Sequence, residues 1–391
     1  MPVERSISVG AVVRDPEEEH RTSTPLELFF DLCFVVAVAQ ASAALHHELV
    51  EGHIADGIAG FLMAFFGVWW AWMNFTWFAS AHDADDVPYR LLTLLQMAGA
   101  LVYAAGVPAA VEDQVFTLGV TGYLIMRAAL ITQWLRVARD HPDLRGRARR
   151  YAGGIAVVQL LWLLILAAPT GARAPLFVVL AIGELLVPLW AERATDKPLF
   201  HAEHIDERYG LFTIIVLGES ILAASVGIRQ VGTEGVTAAL VVVAISGLLL
   251  AFGSWWLYFD HPGHLSPPPD VAFRWGYLHV VVFVSLAALG AGLYVAAEAT
   301  AGHATERTGA LAVTIPVAGY LTGLVLLMVA THHAVGPMSI GSKLAGVTVI
   351  ILLGALTPPA VAAAGSAVVV VVLVTLMTID QFHRPQESNQ P

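Results

Sequence analysis

Charged residues are scarce in this sequence, and cysteine is almost missing. Charged side chains make up 13% of its 391 residues, against roughly 25% in soluble domains. So few charges cannot keep the surface of the chain in water, which excludes a soluble globular protein. The one cysteine, Cys33, excludes an internal disulfide and a zinc site made of several cysteines.

The motifs of several common enzyme classes are absent as well. No glycine-rich phosphate loop follows a strand, and neither a Gly-x-Ser-x-Gly elbow nor a His-Glu-x-x-His pattern occurs. The formal net charge is −11, and the basic residues are scattered through loops instead of forming one face. We therefore expect no nucleic-acid partner and no cofactor, and enzymatic activity is the less favoured class.

Long apolar runs dominate instead: 57% of the residues are hydrophobic and the mean hydropathy is +0.71. A membrane-spanning helix needs about 20 mainly apolar residues. Twelve runs qualify as candidate spans, at 27–45, 54–79, 88–110, 115–138, 151–168, 174–191, 210–228, 236–259, 273–297, 309–331, 343–357 and 360–380. The last two are the hardest to separate, because Thr357-Pro358-Pro359 is also consistent with a kink inside one hairpin.

The distribution of Lys and Arg predicts the orientation of these spans. Loops on the cytoplasmic side of a membrane concentrate both residues. If both termini are cytoplasmic, 16 of the 20 basic residues lie on that side, three lie outside, and Arg127 falls within a span. This asymmetry favours an even number of spans with both termini in the cytoplasm.

Three landmarks recur in the same order along the chain. Asp86-Val87-Pro88-Tyr89-Arg90 returns 184 residues later as Asp270-Val271-Ala272-Phe273-Arg274, and Trp69-Trp70 returns as Trp255-Trp256. The stretch from Thr24 to Ser42 has a weaker copy from Tyr209 to Ala224. The apolar runs predict an all-α integral membrane protein with about 12 transmembrane helices. The recurrence of the landmarks in one order predicts that these helices form two parallel six-helix repeats.

This organisation sets the predicted boundaries. A cytoplasmic tail (1–23) precedes the first repeat (24–191), a cytoplasmic connecting loop (192–209) leads to the second repeat (210–382), and a short cytoplasmic tail (383–391) ends the chain.

Several motifs resemble those of a known family. They are Thr24-Pro25-Leu26-Glu27-Leu28-Phe29-Phe30-Asp31-Leu32, Asp85-Asp86-Val87-Pro88-Tyr89-Arg90, Glu207-Arg208-Tyr209-Gly210-Leu211-Phe212 and Leu217-Gly218-Glu219-Ser220. Together they are similar to the bacterial low temperature requirement A family, and the likeness covers essentially the whole chain. The resemblance implies a multi-pass protein of the bacterial inner membrane, but it supplies no reaction and no catalytic residues.

Three charged residues fall near the middle of predicted spans: Arg127, Glu184 and Glu219. Such charges cost about 2.5–3.5 kcal/mol each on insertion scales and are usually paired or functional. One arginine and two acids allow one ion pair with a carboxylate left over for proton exchange. The alternative is a static lock in which Arg127 bridges both acids. Ser220, next to Glu219, favours close helix approach and extra hydrogen bonding.

The start of the first span carries two acids. Thr24-Pro25-Leu26-Glu27 has the pattern of a capping box, which accounts for Glu27. Asp31 lies too deep for capping, so it either lines a polar path or pairs with an arginine on the cytoplasmic side.

A cytoplasmic gate is a second prediction. Asp86 with Arg90 and Asp270 with Arg274 occupy matching positions in the two repeats, and Glu207 and Arg208 lie in the connecting loop. The alternative is ordinary helix capping with exposed ion pairs. His201 and His204 are spaced to share a metal, but no fixed ligand set accompanies them, so no metal site is expected.

The leading hypothesis is membrane permeation of an ion or small solute by a secondary transporter or channel, with proton coupling as one form. Its partners are the lipid bilayer and an unidentified ion or solute, and a homo-oligomer is left open. The path at the repeat interface would contain Asp31, Arg127, Glu184, Glu219 and Ser220. The alternatives are a membrane enzyme acting on a lipid or lipid-linked substrate, using His82, Asp83, Asp86, His204 and Glu207, and a non-catalytic sensor or scaffold linked to low-temperature growth.

Overall fold

The computed structural model describes residues 10–16, 18, 21–193, 199–260, 271–331 and 337–383, and the regular structure in these ranges is helical. The helices are α1 (Pro25–Glu51), α2 (Ile54–His82), α3 (Val87–Glu112), α4 (Thr117–Asp140), α5 (Arg145–Trp162), α6 (Leu164–Ala167), α7 (Thr170–Glu192), α8 (Ala202–Gly232), α9 (Ala238–Phe259), α10 (Ala272–Ala301), α11 (Glu306–Ala330), α12 (Pro337–Leu356) and α13 (Pro359–His383).

Each of the twelve predicted spans coincides with a helix, and α5 and α6 share one of them as a single stretch from Arg145 to Ala167. Eleven helices in the described part of the chain are long and apolar enough to cross a membrane. The helix that falls outside this set is α4, whose sequence includes three arginines and an aspartate. The chain is thus an all-helical, multi-pass membrane protein.

The helix starts follow local sequence signals. Thr24 N donates to the Glu27 carboxylate at 2.8 Å, and Glu27 N donates to Thr24 Oγ1 at 3.3 Å, which confirms the predicted capping box. α12 ends at Leu356 and α13 begins at Pro359, a residue suited to the first turn of a helix. The pair is therefore two helices and not one helix with a kink.

One boundary differs from the sequence prediction. α8 begins at Ala202, so residues 202–209 of the predicted connecting loop are helical. The polar residues of this segment misled the prediction. His204 and Arg208 are fully buried in the structure, and their polarity does not mark a solvent-exposed loop.

The chain divides into two compact units. The first contains the described residues up to Ala44 together with Ala55–Phe212, and the second contains Leu45–Ile54 and the described residues from Thr213 onwards. Aromatic stacking fills the core of the first unit, where the Phe30 ring lies 4.5 Å from Phe34 and 4.0 Å from Phe75. In the second unit α10 packs closely on α11, because Gly292 lies against the carbonyl of Ala312.

The tryptophan landmarks of the predicted repeats differ in burial. Trp69 and Trp70 are 2% and 0% exposed, whereas Trp255 and Trp256 are 46% and 43% exposed. The first pair belongs to the core of its unit, where Trp70 donates a hydrogen bond to a buried acid. Similar sequence at the two places therefore does not mean similar surroundings.

Candidate functional site

Two acids from α1 meet a histidine and an arginine from α8 inside the first unit. This α1–α8 charge cluster consists of Glu27, Asp31, His204 and Arg208, each 0% exposed. The two residues from each helix are four positions apart, so both point from one helical face. The cluster therefore contains two neighbouring acid–base pairs, Glu27 with His204 and Asp31 with Arg208.

The contacts within the cluster are short. Arg208 Nη2 lies 2.5 Å from Asp31 Oδ1, and Arg208 Nη1 lies 3.2 Å from Glu27 Oε1. His204 Nε2 lies 3.1 Å from the same Glu27 oxygen. Arg208 thus contacts both acids, and Glu27 contacts both bases in addition to capping α1.

An aromatic wall holds Asp31 in place. Trp72 Nε1 donates to Asp31 Oδ1 at 2.7 Å, and the Trp72 ring stacks on Phe212 with 4.2 Å between centroids. Of the two alternatives for Asp31, the structure shows the pairing with an arginine. Both Arg208 and Trp72 contact the same oxygen, Oδ1, while Oδ2 is buried without a hydrogen-bond partner among the described residues.

Several polar atoms of the cluster have spare hydrogen-bonding capacity. Asp31 Oδ2, His204 Nδ1 and Arg208 Nε are buried and form no hydrogen bond with any residue that the structure describes. A buried polar atom without a partner costs about 1–3 kcal/mol. Asp31 Oδ2 and His204 Nδ1 have lone pairs and can each bind a proton without displacing an existing partner, whereas Arg208 Nε can only donate.

The segment before α1 packs against the end of α2, close to this cluster. Arg21 is buried and donates to the carbonyls of Ala79 (2.8 Å) and Ser80. Burial lowers the pKa of Arg21, an effect opposed by the negative charges of Glu27 and Asp83. Burial also raises the pKa of Asp83 to about 6, with a further contribution from Glu27. Asp83 therefore changes charge near neutral pH within electrostatic reach of the cluster.

A second buried group, the Glu184 cluster, lies elsewhere in the first unit. It consists of Glu184 on α7 with Trp70, Tyr123, Arg127, Gln159 and Trp162 from α2, α4 and α5. Arg127 and Glu184 are both 1% exposed, and Arg127 Nη2 lies 3.7 Å from Glu184 Oε2. The predicted pairing of Arg127 with a mid-span acid is present.

Neutral donors surround Glu184. Oε1 accepts hydrogen bonds from Gln159 (2.7 Å), Tyr123 (3.0 Å) and Trp162 (3.2 Å), and Oε2 accepts one from Trp70 (2.9 Å). A carboxylate has about four acceptor sites. Glu184 is therefore saturated, an arrangement that suits a static role better than a proton carrier. The predicted lock also includes a bridge from Arg127 to Glu219, and that part stays a prediction.

The last mid-span acid, Glu219, and its neighbour Ser220 lie in the second unit. Glu219 is 7% exposed. Ser220 Oγ lies 2.9 Å from the Val216 carbonyl and 2.7 Å from the Leu286 carbonyl, and Gly290 packs directly against Ser220. Ser220 thus marks a close contact between α8 and α10, as small polar residues do in membranes.

The predicted pairing of Asp86 with Arg90 is wrong. Asp86 caps α3 by accepting from Tyr89 N at 2.7 Å and pairs with Arg136 of α4 at 2.5 Å. Arg90 forms two 2.8 Å hydrogen bonds with Asp85 at the surface. The sequence pattern favoured the neighbour one turn away, whereas the tertiary fold brings Arg136 to the cap.

The remaining gate residues have contacts in different places, and Arg208 belongs to the α1–α8 charge cluster. Glu207 accepts from Ser23 N at 3.2 Å, and Arg274 donates to the Ala330 carbonyl at 2.6 Å. Asp270 lies outside the described residues. Whether these positions form a gate stays a prediction.

The residues of the enzyme alternative each have a different partner. His82 contacts the Val12 carbonyl at 3.2 Å and Asp83 accepts from Asp85 N at 3.1 Å, while Glu27 contacts His204. In the described ranges, no group of three or more His, Cys, Asp or Glu is arranged to hold a metal ion.

The sequence patterns did not predict that His204 contacts Glu27 or that Trp72 donates a hydrogen bond to Asp31. One signal was available: acids at 27 and 31 and bases at 204 and 208 share a four-residue spacing, with opposite charge character. Nothing comparable pointed to Trp72.

Comparison with known proteins agrees with the helical membrane architecture. A family model described as "Bacterial low temperature requirement A protein (LtrA)" matches residues 22–377, which include both clusters. The chain is 26% identical over 298 residues to the uncharacterized protein RA0937 of Rhizobium meliloti (strain 1021), covering 71% of this chain and 70% of that protein. No solved structure matches the chain.

Proposed function

We propose that this chain, which belongs to the bacterial low temperature requirement A family, moves an ion or small solute across the membrane. The observation that carries the proposal is the α1–α8 charge cluster. Four ionisable groups lie at 0% exposure on two helices long and apolar enough to cross a membrane. Ionisable residues within membrane segments commonly mark ion pathways or proton relays.

In this proposal Asp31 binds the proton, and Arg208 is its ion-pair partner. Separating such a pair while both groups stay charged and buried is costly, because each charge loses its compensation. In this proposal, neutralisation of Asp31 therefore comes before any separation from Arg208. A proton that binds Oδ2 of Asp31 removes the negative charge of the carboxylate and weakens its attraction to Arg208. Glu27 and His204 then provide an alternative partner and a second proton site next to it.

Glu219 and Ser220, the other predicted path residues on α8, belong to the second unit and stay a prediction. The Glu184 cluster has a supporting role here: it fixes α2, α4, α5 and α7 around one saturated carboxylate. Neither its arginine nor its acid needs to move.

The test is flux in liposomes. Purified protein is reconstituted, and the movement of protons, monovalent cations and small organic ions is measured under a concentration gradient and a membrane potential. Asp31→Asn keeps the shape of the side chain but removes its charge, and we expect a loss of at least about tenfold in flux, equivalent to roughly 1.4 kcal/mol.

Glu203→Gln is the matched control. Glu203 is exposed and directly precedes His204 on α8, so its loss of charge leaves flux unchanged. Absence of flux for every ion tested would contradict the proposal and favour the sensor or scaffold alternative. Equal flux in wild type and folded Asp31→Asn would remove Asp31 from the path.

A further inference from the structure

A groove in the second unit runs along α8, between this helix, α9 and α10. Its volume is about 270 Å³. One wall is α8 from Leu217 to Arg229, with lining residues spaced three and four apart, which places them on one helical face. Gly247 of α9 and Leu293 of α10 belong to the opposite walls.

The groove has the length of one membrane leaflet. The twelve-residue separation between Leu217 and Arg229 corresponds to about 18 Å along a helix. Half of a hydrocarbon core ~30 Å thick is about 15 Å. The groove therefore extends from the middle of α8 to its last turn, a depth that suits a single acyl chain.

The walls of the groove suit hydrocarbon better than a polar solute. Aliphatic and small side chains form most of the lining. The two serine hydroxyls that reach it are already engaged, since Ser220 Oγ lies 2.7 Å from the Leu286 carbonyl and Ser225 Oγ donates to the Leu222 carbonyl at 2.7 Å. A polar ligand would thus find few hydrogen-bonding partners along the groove.

Arg229 gives the end of the groove a positive charge. Its side chain is exposed and forms no hydrogen bond or ion pair within the described part of the chain. Other arginines near helix ends are engaged: Arg173 donates to the Gln114 carbonyl and Arg307 to the Ala355 carbonyl. A free guanidinium presents a planar set of donors that matches a phosphate.

We propose that this groove binds an anionic glycerophospholipid, with one acyl chain between α8, α9 and α10 and the phosphate at Arg229. The length of the groove selects a chain of one leaflet, its apolar walls select hydrocarbon, and the unpaired charge at its end selects an anionic headgroup. The site is independent of the α1–α8 charge cluster and does not require the protein to transport anything.

The test measures lipid retention by native mass spectrometry. Purified, delipidated protein is offered phosphatidylglycerol and phosphatidylcholine with identical chains at equal concentration. We expect the wild type to prefer phosphatidylglycerol by about fivefold, the effect of roughly one basic residue near an anionic lipid. Arg229→Gln should abolish the preference while the protein still binds lipid.

Two further variants separate the headgroup from the chain. Arg307→Gln is the matched control and should keep the wild-type preference, because its guanidinium already contacts a backbone carbonyl. Ala244→Phe fills the groove from α9 and should reduce retention of both lipids. An unchanged preference in Arg229→Gln, or no preference in the wild type, would overturn the proposal, as would unchanged retention in Ala244→Phe with a wild-type melting temperature.

Discussion

Both buried charge clusters of the first unit contain an arginine and at least one acid, but they differ in how fully the carboxylate oxygens are hydrogen-bonded. In the Glu184 cluster one acid accepts four hydrogen bonds from neutral donors and faces one arginine. In the α1–α8 charge cluster two acids share one arginine and one histidine, and Asp31 Oδ2 has no hydrogen-bond partner among the described residues. The contrast concerns the carboxylates, since Arg127 Nε and Gln159 Oε1 of the Glu184 cluster also lack hydrogen-bond partners among the described residues. We expect the saturation of a buried carboxylate, and not its burial alone, to separate a structural acid from one on the proposed path.

The largest effect that would sharpen this comparison is expected from Arg208→Gln. Removing the arginine leaves Glu27 and Asp31 buried with reduced compensation, and breaking a buried pair in this way costs about 3–5 kcal/mol. The melting temperature in detergent should fall strongly, and adding Asp31→Asn should restore part of it. If the double variant is as unstable as the sum of the two single variants, Arg208 and Asp31 are not coupled.

A smaller loss is expected from Glu184→Gln. The amide would place a donor where Trp70, Gln159 and their neighbours already donate, and it would leave Arg127 buried without its charged partner. The longer contact of 3.7 Å places the expected loss at about 3 kcal/mol, the low end of the range for a broken buried pair. Denaturation in detergent should therefore require less denaturant than for the wild type. A variant as stable as the wild type would show that the Glu184 cluster is not a lock.

Asp83, which lies near the α1–α8 charge cluster, should make the free energy of unfolding depend on pH. Its pKa is raised from 3.8 to about 6 in the folded protein. An acid with a raised pKa contributes stability that is fully present below the unfolded pKa and is lost as the pH rises through the folded pKa. The contribution, on the order of 3 kcal/mol, should therefore disappear between about pH 4 and pH 7.

Melting temperatures measured across this range check the prediction, with Asp83→Asn as the comparison. The variant should lack this part of the pH dependence. An identical pH profile in wild type and Asp83→Asn would show that Asp83 does not titrate near pH 6.

The smallest effect is expected at the surface. Arg90 and Asp85 form an exposed pair, and such pairs contribute about 0–1 kcal/mol. Arg90→Gln should thus leave the melting temperature almost unchanged, whereas Arg136→Gln, which removes the partner of Asp86, should lower it measurably. Equal effects of the two substitutions would contradict the pairing of Asp86 with Arg136.

Much of the fold follows from patterns along the chain. Apolar run length identified the helices, and the capping signals at Thr24 and Asp86 identified two helix starts, because both depend on residues within a few positions of each other. The alternatives for Asp31 could not be resolved in this way. Its partner Arg208 is 177 residues away, and its burial depends on how two distant helices pack.

The difference in hydrogen bonding between Glu184 and Asp31 could not be predicted from the sequence either. Glu184 is a mid-span acid in the sequence, and its saturation needs side chains from α2, α4 and α5 to converge on it. The spacing of Asp86 and Arg90 predicted the wrong pair, because it shows only which residues can meet on one helix. It does not show that α4 brings Arg136 to Asp86. The two-repeat arrangement and the orientation of the termini remain predictions.

The most direct test of the account compares flux through Asp31→Asn and Glu184→Gln in liposomes, at equal amounts of folded protein. Each substitution removes one buried carboxylate charge from the first unit. We expect Asp31→Asn to lose most of the flux of the wild type and Glu184→Gln to retain it per folded molecule despite its lower stability. Loss of flux in Glu184→Gln with normal flux in Asp31→Asn would reverse the roles assigned to the two clusters and contradict the account.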